Sequence, residues 1–73
     1  LLAVSTNDGL GRSAANIGAL LGMKHIFFVP LRQDDYTGKP NSLVADMERI
    51  PEAASAALKG RQLQPVLLPG IGG

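Results

Sequence analysis

Residues 26–35, Ile-Phe-Phe-Val-Pro-Leu-Arg-Gln-Asp-Asp, decide the reading of the fold. Ile26 to Val29 form an apolar, β-favouring run of the kind found in strands covered on both faces, and the run ends in a cluster of hydrogen-bonding side chains. The start of the chain repeats the design, with Leu1–Val4 running into Ser5-Thr6-Asn7-Asp8-Gly9. Open parallel sheets bind ligands in the crevice beyond the carboxyl ends of their strands, so two polar clusters there mark a candidate site. Segments rich in Asn, Asp and Gly also make plain turns, and spacing alone leaves both readings open.

Between the two runs, residues 13–21 read as a helix. Ser13 is placed to cap it, Ala14, Ile17, Leu20 and Leu21 share one face, and Gly22 is placed to end it in the left-handed conformation. Gly18 is costly inside a helix, and a close contact with the sheet would explain it. Asn16 is expected to fasten this helix to the loop after the second strand, since a buried amide needs partners. Strand 1–5, helix 13–21 and strand 25–30 make a right-handed parallel βαβ unit.

Beyond the polar loop 31–41, Ser42 is expected to cap a long helix. Its apolar positions Leu43, Met47, Ile50, Ala54, Ala57 and Leu58 follow a period near 3.6, with a kink or restart at Pro51 and a stop at Gly60. Residues 63–68 read as a short edge strand, where Pro65 is tolerated. The domain is expected to cover 1–68, with 69–73 as a flexible tail.

Composition narrows the class. The 73 residues are 45% hydrophobic with a formal net charge of +1, which is globular rather than disordered. The seven basic and six acidic residues are interspersed and form no nucleic-acid footprint. No run approaches the roughly 20 apolar residues of a membrane span. With no cysteine and a single histidine, His25, the chain offers neither disulfides nor a metal-ligand set. Leu1 lies inside an apolar run, which leads us to expect a core that continues upstream.

No glycine-rich phosphate loop or nucleophile elbow is present. Adjacent Asp34 and Asp35 point in divergent directions, which suits a solvated turn better than a paired acid and base. Gln33 and Asp34 leave the second strand toward the crevice, where ligand contact and subunit contact are both open. Lys39 stands before the helix expected at Ser42, and a helix amino terminus already favours anions, so Lys39 and Ser42 are candidate anion ligands. Arg12 is placed to assist from the neighbouring loop. The alternative is a solvated lysine beside an ordinary cap.

Three segments, Ser5–Leu21, Ile26–Asp35 and Lys39–Met47, followed by Gly60–Leu68, resemble in order and spacing the carboxyl-terminal part of the dipicolinate synthase B-subunit family, within the flavoprotein superfamily. The Val-Pro-x-x-Gln-Asp-Asp and Lys-Pro-Asn-Ser-Leu-Val-Ala-x-Met elements carry most of it. The resemblance implies a Rossmann-like flavoprotein fold and a subunit of an oxidoreductase, inactive as an isolated segment. That enzyme forms pyridine-2,6-dicarboxylate from a lysine-pathway precursor in the mother-cell cytoplasm of a sporulating bacterium. It further implies a dehydrogenase-like A subunit carrying NADP, an oligomeric assembly and a small dicarboxylate substrate. By the same resemblance FMN would lie near Ser5, Thr6 and Asn7, with Asn7 at the active site. The superfamily's flavin-dependent decarboxylases and flavin prenyltransferases are the alternative. Around Asn7, however, the chain lacks the Pro and Met neighbours of the decarboxylases. A scaffold that docks a dehydrogenase-like partner is a further alternative.

Overall fold

Phe28 and Val29 face opposite ways from one extended segment, and each founds one half of the core. The computed structural model describes residues 1–69. Phe28 packs with Ile17, Leu31 and Leu43, backed by Val4, Leu20, Ile26 and Val66. Val29 packs with Ala45 and Ala53, backed by Leu63. A helix therefore covers each side: α1 (Ala14–Leu21) through Ile17, and α2 (Ile50–Leu58) through Ala53.

The expected parallel pairing of the first two extended segments is present at Leu2 and Phe28. Leu2 N–H donates to Phe27 O at 2.7 Å, and Val29 N–H donates to Leu2 O at 2.9 Å. With α1 between them, these segments form the βαβ unit. Of the edge strand expected over 63–68 only one parallel bridge is found, between Leu31 and Leu67, with bonds from Leu31 N–H to Val66 O and from Leu68 N–H to Leu31 O. The first segment, expected to be covered on both faces, is instead exposed at Leu1, Leu2 and Ala3.

The sequence reading missed a small antiparallel sheet of β1 (Ser5–Thr6), β2 (Leu31–Arg32) and β3 (Leu43–Ala45), in the order β1-β3-β2. Ser5 faces Val44 and Thr6 faces Leu43, while Leu31 faces Ala45 and Arg32 faces Val44. β3 occupies the positions assigned to the start of the long helix, so Ser42 caps nothing and that assignment is corrected. The physical reason lies at Asp46 and Pro51. Asp46 Oδ1 accepts from Glu48 N–H at 3.2 Å and caps a 3₁₀ turn, Met47–Arg49, that leads into α2. Pro51 then falls in the first turn, where its missing N–H costs nothing. In a helix begun at Ser42 it would cost about 3 kcal/mol. The stripe through Met47 and Ile50 is consequently not core: both are exposed, and Ala53 is the buried contact.

The helix ends need similar revision. Ser13 makes no side-chain cap. Asp8 instead holds the two residues ahead of the helix, accepting Arg12 N–H on Oδ2 at 3.1 Å and Ser13 N–H on its carbonyl at 3.2 Å. Gly22 is right-handed at φ −81°, whereas Gly60, at φ 72°, closes α2 as expected. Arg61 N–H reaches Ala56 O and Gly60 N–H reaches Ala57 O, both at 2.9 Å, in a Schellman motif. Asn16 is exposed and does not anchor α1. Gly18 has open space where a side chain would stand, so no close contact explains it. Gly18→Ala is therefore expected to stabilise the full-length protein by about 0.5–1 kcal/mol in urea denaturation. Of the expected 69–73 tail, residues 70–73 lie outside the described residues, and Pro69 is exposed.

Candidate functional site

The pairing of β3 between β1 and β2 gathers two loops at one end of the sheet. Thr6 at the end of β1 faces Leu43 at the start of β3, and Arg32 at the end of β2 faces Val44. The loops that follow β1 and β2 must then lie side by side. They are joined by Leu10 N–H, which donates to Asn41 O at 2.9 Å. Gly9 permits this approach: a β-carbon there would sit 2.7 Å from Leu43 Cβ, inside the core.

Each loop is held by its own polar side chains. In the first, Thr6 Oγ1 accepts from Asp8 N–H at 3.2 Å, and Asp8 holds the start of α1. In the second, the Gln-Asp-Asp cluster clasps the Lys-Pro-Asn-Ser segment. Gln33 Nε2 donates to Pro40 O at 2.8 Å, Asp35 Oδ1 accepts from Gly38 N–H at 2.9 Å, and Ser42 Oγ donates to Asp34 Oδ1 at 2.8 Å. The two sequence elements that looked most distinctive are thus two sides of one loop.

Of the candidate residues, Ser5, Asn7 and Lys39 are exposed, Thr6, Gln33 and Asp34 are half-buried, and Ser42 is fully buried. All belong to the two adjoining loops or their flanking strands. Lys39 does not stand at a helix amino terminus, because the following segment is β3, and the dipole argument for an anion there is withdrawn. Its charge acts on Asp34 instead. The Ser42 hydroxyl, and to a lesser degree Lys39, hold the Asp34 carboxyl below its ordinary value of 3.8, while desolvation works the other way. A carboxylate with a depressed pKa stabilises the fold above its unfolded value, and that contribution is lost as pH falls through the folded value. Between about pH 5 and pH 3, the native protein is expected to lose more stability than Asp34→Asn, as read from melting temperatures across that range.

Three residues escaped the sequence reading, two of them, Asp46 and Arg49, beyond the opposite end of β3. Asp46 Oδ2 accepts from Arg32 Nη2 at 2.7 Å and from Arg49 Nε at 3.2 Å. Arg32 also borders a cavity of about 170 Å³, lined by Leu10, Leu31, Gln33, Leu43, Leu67 and Leu68. The usable signal was Asp46 itself, a capping residue a few positions ahead of a proline. Two larger depressions lie elsewhere, beside α2. None of the three is lined by Ser5, Thr6 or Asn7.

The βαβ unit, its covering helices and the paired loops at one sheet end are those of a piece of a Rossmann-like flavoprotein fold. Within that class the chain is 45% identical, over all 73 residues, to the dipicolinate synthase B subunit of Bacillus subtilis. The crystal structure of the dipicolinate synthase B subunit from Bacillus halodurans superposes with a TM-score of 0.90 at 51% identity, covering 93% of this chain. The chain spans 36% of the first protein's length and 35% of the second's. No model of a known protein family matches it. Among the described residues, no helix is long and apolar enough to cross a membrane.

Proposed function

We propose that these residues serve as the sheet-end loop region of a dipicolinate synthase B subunit, which works with a dehydrogenase-like A subunit to form pyridine-2,6-dicarboxylate. The observation that carries this reading is identity of 45% over all 73 residues to one such subunit and of 51%, over 93% of the chain, to another. The nicotinamide-linked oxidation is assigned to the A subunit with its NADP, and the B segment supplies binding and positioning. Asn7, exposed beside the Leu10–Asn41 joint, is the residue proposed to meet substrate, with Ser5 and Thr6 beside it. Gln33, Asp34 and Ser42 keep the second loop in shape, and Lys39 presents a cation at its surface.

A flavin beside Ser5, Thr6 and Asn7 belongs to this proposal on family resemblance alone. The oxidoreductase assignment, the mother-cell cytoplasm and the oligomer belong to the same proposal. Its test is a chimera: the matching segment of the Bacillus subtilis B subunit is replaced by these 73 residues. The chimera is then combined with that organism's A subunit. Formation of dipicolinate at a rate comparable with the parent pair supports the reading, and a folded but inactive chimera contradicts it.

A further inference from the structure

The loop of residues 7–13 carries Asn7, and its own bonds close it into a unit. Asp8 N–H donates to Thr6 Oγ1, Gly11 and Ser13 N–H donate to Asp8 O, and Arg12 N–H donates to Asp8 Oδ2. Among the described residues, this loop makes one hydrogen bond to anything beyond itself, β1 and α1. That bond runs from Leu10 N–H to Asn41 O at 2.9 Å. Where Asn41 stands therefore sets where the loop stands, with the seat of Gly9 against Leu43 as its other support.

Asn41 is itself bracketed. Pro40, just before it, accepts on its carbonyl from Gln33 Nε2 at 2.8 Å, and Ser42, just after it, donates from Oγ to Asp34 Oδ1 at 2.8 Å. The second bracket is the firmer one, because its acceptor is a carboxylate and Ser42 is fully buried. The Asn41 side chain also reaches the first loop: a β-carbon on Gly11 would stand 3.3 Å from its Nδ2. An exposed backbone hydrogen bond competes with water, so an acceptor held in place beforehand is what keeps it closed.

We propose that Gln33 and Asp34 are positioning residues for Asn7. By fixing Asn41 from both sides they fix the acceptor of Leu10, and through Leu10 the loop that presents Asn7. The effect on turnover rests on the proposed function, whereas the coupling of the two loops does not. A displacement on the order of 1 Å of a group that meets substrate can cost about a hundredfold in rate, so a small slackening of the joint is enough to be read.

Hydrogen exchange at the Leu10 amide in the full-length protein tests the coupling. Gln33→Ala and Asp34→Ala are each expected to speed it about tenfold or more. Asp34→Asn keeps an oxygen for Ser42 Oγ and should speed it much less. Asp35→Ala removes only the bond to Gly38 N–H at the loop tip and should leave it unchanged. In the chimera with the A subunit, Gln33→Ala should lower dipicolinate formation about five- to tenfold, with the melting temperature within about 2 °C. The bond it removes is exposed and leaves no buried group unpaired, so this variant serves even where Asp34→Ala fails to fold. In an Asn7→Ala background the same substitution should cost nothing further, because both act through one contact. Leu10 exchange unchanged in Gln33→Ala, equally fast exchange in Asp35→Ala, undiminished dipicolinate formation in Gln33→Ala, or a full additional loss in the Asn7→Ala background would overturn the proposal. Faster Leu10 exchange in the two bracket variants, together with a chimera that makes no dipicolinate, would support the coupling and overturn the functional reading alone.

Discussion

Gln62→Ala is expected to destabilise the full-length protein by about 2–4 kcal/mol, far more than a half-buried glutamine usually costs. Phe28 is fully buried, and its backbone groups are met by a side chain. Phe28 N–H donates to Gln62 Oε1 at 2.8 Å, and Gln62 Nε2 donates to Phe28 O at 2.6 Å and to Leu63 O at 3.1 Å. The amide thus stands where a neighbouring strand would stand. Truncation strands one donor and one acceptor, each worth about 1–3 kcal/mol when buried and unpaired. Chemical denaturation monitored by circular dichroism measures the loss. A change below about 0.5 kcal/mol would mean that water replaces the amide.

Asp46→Ala carries the next largest expected effect, about 1–3 kcal/mol. One carboxylate caps the turn before α2 and joins Arg32 of β2 to Arg49, with a side chain only 13% exposed. Its loss removes the cap and leaves two cations facing each other. Both arginines are more than a third exposed, so the ionic share is screened and the cap dominates. Asp46→Asn keeps an oxygen for Glu48 N–H and should lose less than half as much. Equal losses in the two variants would assign the effect to charge and not to capping.

The βαβ unit was legible because its signals are local: two apolar runs, a helical period between them and lengths that permit only a crossover. Gly60 was legible for the same reason, whereas of the edge strand expected at 63–68 only the bridge at Leu67 is present. β3 was not legible. Leu43, Val44 and Ala45 fit a helical stripe with Met47 and Ile50 as well as they fit a strand. What selects the strand is pairing with Ser5–Thr6 and Leu31–Arg32, which are distant in sequence. The error carried through to Lys39 and Ser42, whose proposed anion site depended on a helix beginning there. Ser42 instead turns inward to Asp34, a contact that no spacing rule announces. Gln62 was equally hidden, since nothing in its neighbourhood shows that its amide replaces a strand. Of the site, the convergence of the two loops was legible from strand direction alone. The bond that joins them, from Leu10 to Asn41, was not.

We propose that the protein acts at this loop end. Asn7→Ala in the chimera, assayed with the A subunit for dipicolinate formation and separately for melting temperature, tests it most directly. Asn7 is exposed, so its removal should leave the melting temperature within about 2 °C. Dipicolinate formation should fall by about tenfold or more, the equivalent of one lost charge-assisted or well-placed hydrogen bond to substrate. Undiminished formation, or a loss of activity matched by a loss of stability, would contradict the account and make Asn7 no more than a residue of the turn.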